Sequence, residues 1–319
     1  MHFGSEETGD NFFLATLVKY LISKSVYLIS AGALCFILAI FYSLQLPNIY
    51  QSEALLAPTS NESANGNLAS LAGQFGGLAS MAGINLGGSN QLDKTKLAIS
   101  ILKSKHFTNE FIEKRGILPE LMAAKAWDMD SNTIIYDEEL YDTENNKWVR
   151  VVEKPLKPRP SLQEAYEVFI EIVEIKEDAD VGVFTLSVEH VSPYTAKLWV
   201  DWLIEDINEL IKKREMDEAL RSSEYLHAQL EETQVEEMRD ALYRLIEEQA
   251  KTVMLAQVRE EYVFQTIDPA LVPEKKLKPS RALICILGGI IGFVLMALCF
   301  TVRFCIGIAP SPQQGERLS

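Results

Sequence analysis

Residues 264–303 read FQTIDPALVPEKKLKPSRALICILGGIIGFVLMALCFTVR. A connector punctuated by Pro269, Pro273 and Pro279 and carrying Lys275, Lys276, Lys278 and Arg281 leads into an uncharged apolar run, Ala282 to Val302. Roughly 20 apolar residues cross a hydrocarbon core about 30 Å thick as a helix. Gly288 and Gly292 form a GxxxG pair on one face of that helix, with Gly289 beside them. Such a pair lets two backbones approach closely in lipid, where packing drives association. The stretch reads as a membrane anchor, and the preceding chain as a body hung from it.

Working outward, a second charge-free apolar run spans Val26 to Leu46. It is longer than the apolar core of a signal peptide and lacks a small-residue cleavage pattern, so it reads as a retained anchor. Ala31, Cys35 and Ala39 recur every four residues and give it a smooth stripe for helix contact. Lys19 and Lys24 precede this run, and no basic residue follows until Lys94. The positive-inside rule then puts the N-terminus in the cytoplasm. The expected organisation is a cytoplasmic segment 1–25, a span 26–46, an external body 47–281, a span 282–302 and a short cytoplasmic tail 303–319. The basic connector before the second span opposes this orientation, but long loops translocate largely regardless of charge.

Charge and cysteine usage bound the body. The net charge is −15, and all of it falls between Pro47 and Arg281. That argues against nucleic acid as a partner. Cys35, Cys285, Cys299 and Cys305 all lie in or beside the apolar runs, so a disulfide framework or a cysteine metal site in the body is excluded.

Within the body, Ile49 to Pro58 reads as a strand. Leu68–Gly77 and Leu78–Gly88 are then an imperfect repeat, LASLAGQFGG and LASMAGINLGG, uncharged and holding six glycines. It is too glycine-rich for a stable helix, and reads either as a flexible loop or as an apolar flap that contacts a neighbouring subunit or a glycan substrate. Lys94 to Arg115 has helical spacing, with Gly116 and Pro119 as stops. Ser161 and Glu164 make a capping box for a helix through about Phe169. Val181–Val191 alternates as a half-buried strand, and Ser192-Pro193 is a helix start. No glycine or proline occurs between Pro193 and Pro269, which predicts a very long, coiled-coil-like helix over about 194–260, with Arg214–Ser223 as the place for any break. Tyr262 to Ile267 reads as a returning strand.

The order of anchor, strand, α+β base, strand ending His190-Val191-Ser192-Pro193, long helix, strand ending Ile267-Asp268-Pro269-Ala270, spaced prolines and second anchor resembles the Wzz-type chain-length determinants, or polysaccharide co-polymerases. The resemblance covers nearly the whole chain, and the Pro269, Pro273 and Pro279 motif with the Gly288/Gly292 span is its most specific part. It implies an inner-membrane protein whose base and long helices face the periplasm and assemble with copies of themselves into rings. It further implies a non-enzymatic role without cofactor, setting the chain length of O-antigen or a related surface polysaccharide. The implied partners are the polymerase and the lipid-linked glycan. Relatives with a tyrosine-kinase domain differ, since the tail here is short and no phosphate-binding G-x-x-x-x-G-K-[ST] occurs. An export role, coupling capsule or exopolysaccharide to an outer-membrane channel, is the competing expectation.

Signals for chemistry are weak. Asp128-Met129-Asp130 matches the DxD of metal-dependent glycosyltransferases, yet no glycine-rich phosphate loop accompanies it. His2, His106, His190 and His227 lack ligand spacing, and the body holds no cysteine nucleophile. Trp199 and Trp202, at helical spacing beside Leu198 and Leu203, read as core.

Overall fold

The structure is a computed structural model that describes residues 19–20, 22–59 and 89–308. His2, the Gly-rich repeat at 68–88 and most of the terminal segments lie outside the described residues. The chain divides into two units, one built from 1–47 with 278–319 and one from 48–277.

The first unit is a helix pair, α1 (Ser25–Gln45) and α8 (Arg281–Ile308). Both are long and apolar enough to cross a membrane, and their large side chains are mostly exposed. That exposure is the pattern of helices whose solvent is lipid rather than water.

The second unit is organised on a four-stranded antiparallel sheet of order β6-β7-β1-β8. Its strands are β1 (Tyr50–Pro58), β6 (Val173–Asp178), β7 (Val183–His190) and β8 (Phe264–Asp268). Along β1 the side chains of Tyr50, Ser52, Ala54 and Leu56 are buried while Glu53 is exposed, the period of two that puts alternate residues on opposite faces. The buried face meets α6 (Pro193–Glu232), which contributes Trp199, Val200, Leu203 and Ile207, all fully buried. The core is completed by α3 (Lys105–Arg115) through Phe107, Phe111 and Ile112, and by α5 (Leu162–Ile172) through Ala165 and Phe169. Between them lie α2 (Ser89–Leu102), α4 (Leu118–Ala123) and two hairpins, β2–β3 (Ala124–Asp128, Thr133–Tyr136) and β4–β5 (Tyr141–Asp142, Lys147–Trp148). This is the expected α+β base with a long helical extension.

Three local readings need correction. The segment from Lys94 to Arg115 is two helices, because Ser104 adopts an extended conformation and its hydroxyl accepts the Phe107 N–H, starting α3 afresh. Pro119 does not act as a stop but occupies the first turn of α4, where its missing N–H costs nothing. The expected helix over 194–260 is a pair, α6 and α7 (Glu236–Val258), and the break falls at 233–235 rather than in Arg214–Ser223. At the break, Thr233 and Val235 are extended, and both the N–H and the hydroxyl of Thr233 donate to the Gln229 carbonyl. Arg239 then donates to the carbonyls of Leu230 and Thr233, filling acceptors the helix end leaves open. The polar stretch 214–223 stays helical because it is tied down from within: Glu215 pairs with Lys94 and accepts the Tyr262 hydroxyl, and Ala219 is buried. The chain comes back along itself, so that Lys212 of α6 donates to the Arg259 carbonyl just beyond α7.

Candidate functional site

In the helix pair, the two small-residue stripes face each other. A Cβ placed on Gly288 would stand 2.5 Å from the Cβ of Ala39, and one on Gly292 would stand 2.6 Å from both Cβ and Sγ of Cys35 and 3.0 Å from the Ala31 carbonyl oxygen. A Cβ on Gly289 would meet only ordinary contacts, the nearest of them the Phe36 ring at 3.5 Å. Tyr20 and Tyr27 meet Phe300, so the two helices run antiparallel, as a two-pass pair must. The GxxxG face of the second span is thus occupied by the chain's own first span. The physical reason is proximity: two helices joined through one body pay less entropy to pair than two separate chains.

The connector prolines divide between the units. Pro269 ends β8, since proline has no N–H for the ladder. Beyond it Ala270 is buried, and the Ser52 hydroxyl of β1 donates to the Leu271 carbonyl at 2.8 Å. Past Pro273, the Leu277 N–H donates to the Ile49 carbonyl and the Lys276 ammonium donates to Asn48. Residues 269–277 therefore continue beside the first residues of β1 through side-chain and isolated backbone bonds. Pro279, in the helix-pair unit, precedes α8 by two residues.

The joint between β7 and α6 is built by His190 and Ser192. Ser192 caps the helix by accepting the Thr195 N–H, and Pro193 takes the first helical position. The buried His190 ring accepts the Ser192 N–H at Nδ1, 3.0 Å away. Its Nε2, 3.1 Å from the Glu120 carbonyl, must then carry the proton and donate. Burial lowers the histidine pKa, against the smaller opposing effect of these backbone bonds. This is the environment of a neutral, structural imidazole.

Two further anchors on α6 carry no obvious sequence signal. Asp206, nearly fully buried, receives both Lys114 and Arg115 from the end of α3; Arg115 contacts both carboxylate oxygens, at 2.7 and 3.1 Å. The guanidinium also stacks over Trp202. These bonds to Asp206 raise the pKa of both cations. Asn208, also buried, accepts the N–H groups of Tyr262, Val263 and Phe264 on one oxygen and donates to the Phe264 carbonyl. A buried polar residue in a helical pattern was the available hint, but its partners lie more than fifty residues away in sequence.

The DxD segment makes a turn. The Asp128 carboxylate accepts the Asp130 N–H and the Ser131 hydroxyl inside the β2–β3 hairpin, and these bonds lower its pKa. Among the described residues no three His, Cys, Asp or Glu side chains come together as a metal site.

Against this geometry, residues 10–115 match the family model described as "Chain length determinant protein", Wzz. The match covers about a third of the chain and includes α1, β1 and α3. Two solved structures are also similar. One is a full-length bacterial polysaccharide co-polymerase, at 10% identity and TM-score 0.36, covering 92% of this chain and 98% of that one. The other is a fragment of WzzB, the polysaccharide co-polymerase from Salmonella Typhimurium, at 12% identity and TM-score 0.28, covering 72% and 100%. No curated protein matches the chain in sequence. In structural terms the matched stretch takes in the first span helix and the strand that sits between β7 and β8. It ends on Arg115, whose partner Asp206 lies outside it, so the matched stretch is tied by this ion pair to the chain that follows.

Proposed function

We propose that the protein is a non-enzymatic regulator of surface polysaccharide chain length. It passes the bacterial inner membrane twice, keeps both termini in the cytoplasm and presents the 48–277 unit to the periplasm. Copies associate into a ring that scaffolds the polymerase acting on a lipid-linked O-antigen-type glycan. The observation that carries this reading is the Wzz match over residues 10–115, which takes in the first span candidate and the inner strand β1 of the base. The second span candidate and the proline connector support it from the other end. A scaffold without chemistry of its own is also supported by where the polar groups go: Asp128, His190, Asp206 and Asn208 are each spent on holding backbone or neighbouring side chains.

The test is a gel ladder of the surface polysaccharide from a deletion strain. Length control predicts that polymer is still made but that its preferred length range is lost, and that complementation restores it. Retained polymer in the periplasm would instead support the export role. Complete loss of synthesis would point to catalysis.

A further inference from the structure

On the 48–277 unit a cleft of about 620 Å³ opens between the end of α3, the β4–β5 hairpin and the segment leading into α5. That volume is within the range of about 300–1,000 Å³ in which small-ligand sites fall. Tyr141 and Trp148 line it, with ring centroids 4.9 Å apart. Glu113 stands on one wall and Arg159 on another, both exposed. Lys114 and Arg115, next to Glu113 in sequence, and Arg150 are all bound in ion pairs, whereas among the described residues Glu113 and Arg159 make none. Charges of opposite sign therefore face one cleft without neutralising each other.

The walls are held from behind. Arg150 donates to the carbonyls of Lys157 and Pro158 and to Glu164, fixing the segment that carries Arg159. Gly116, left-handed at φ +67°, ends α3 on the wall of the cleft, in a backbone conformation that a side chain would strain. The Tyr141 hydroxyl donates to Asn146, pinning the hairpin. A cleft built this way is pre-formed and loses little entropy on binding.

We propose that this cleft binds a short segment of neutral glycan. A pyranose presents an apolar C–H face suited to the half-buried Trp148 ring, which the buried Tyr141 backs, and hydroxyls that both donate and accept. Glu113 supplies an acceptor, and Arg159 and Lys147 supply donors. An anionic ligand would meet Glu113 and an acidic body, and an apolar peptide would desolvate both charges without pairing them. The proposal rests on the length-regulator reading and names the site at which the base would touch the polymer.

The experiment uses the purified full chain in detergent. The probe is a set of short oligosaccharides released by partial acid hydrolysis from the source cell's own surface polysaccharide, read by saturation-transfer NMR and by titration. Wild type is expected to bind. The E113Q/R159A variant, which changes only exposed and unpaired groups, is expected to bind about tenfold more weakly or worse, because the first change takes the charge from an acceptor and the second removes a donor. Trp148→Phe, which keeps a ring, should retain most of the binding. No saturation transfer to wild type, or equal affinity in the double variant, overturns the proposal. So does a photo-crosslinker at position 159 that captures a second copy of the chain in place of sugar. In cells the two readings separate: an unchanged ladder on deletion sinks length control itself. A changed ladder that E113Q/R159A restores in full, with binding unaltered, sinks the cleft alone.

Discussion

Asn208 places one amide where the chain re-enters the sheet, and it replaces water for three consecutive N–H groups at 2.8–3.2 Å. Asn208→Ala removes that acceptor while leaving the donors buried, at about 1–3 kcal/mol for each group left unsatisfied. The expected loss is about 3 kcal/mol, measurable as a lowered Tm of the full chain in detergent, whereas Asn208→Asp, which keeps the acceptor, should lose less. A Tm for Asn208→Ala equal to wild type would show that the loop finds other partners. His190 makes a pH prediction. Its folded pKa lies below the ordinary 6.5 because the ring is buried, so the unfolded chain takes up the proton first. Stability is then full above about pH 6.5 and falls as pH drops toward the folded value. Glu120, whose pKa burial raises above 4.5, has the opposite sign: its contribution is full below 4.5 and is lost as pH rises through the folded value. Melts of wild type and His190→Gln across pH 5–8 separate the two, since only the slope below 6.5 should disappear in the variant.

Helices show best what the sequence makes readable. Caps are local, so Ser161 with Glu164 and Ser192 with Pro193 can be found from spacing alone, and both occur. The α6–α7 break is not local in that sense. It has neither glycine nor proline, and rests on Arg239 reaching back to two carbonyls, which a hydrophobic period does not encode. The stripes at Gly288/Gly292 and at Ala31/Cys35/Ala39 are visible as spacing, but that they meet each other is a tertiary fact. Likewise Asp206 looks like one more acid on a charged helix until α3 delivers two cations to it. The span contact also separates neighbouring glycines. In an isolated helix every Gly→Ala change is favourable by about 1 kcal/mol. Here Gly288→Ala and Gly292→Ala put a Cβ within 2.6 Å of Cβ atoms on α1, which cannot swing away, while Gly289→Ala meets an ordinary contact. Disulfide trapping between cysteines introduced at Tyr27 and Phe300 should report this. Crosslinking is expected to drop in the Gly288→Ala and Gly292→Ala variants and to persist in Gly289→Ala; equal yields in all three would mean the helices do not pair as drawn.

At the scale of the whole chain, two span candidates flank one body, so the body must lie on a single side of the bilayer whichever side that is. Two signals disagree about which. Lys19 and Lys24 before the first span favour an external body, while Lys275, Lys276, Lys278 and Arg281 before the second would then stand on the less favoured side. The first helix usually dominates, and a body of this length moves across largely regardless of its charge, so the external placement is the expected one. The native cysteines make the measurement clean. All four lie in or beside the apolar runs, leaving residues 47–281 free of thiols. Glu247→Cys adds one on an exposed face of α7, and His2→Cys adds one at the other end of the topology. In intact spheroplasts a membrane-impermeant maleimide should label Glu247→Cys at once and His2→Cys only after permeabilisation, with the unmodified chain as background. Labelling in the reverse order would put the body among the ribosomes, where a regulator of a periplasmic polymer has nothing to act on, and the basic connector rather than the N-terminal lysines would then be the segment that sets the topology.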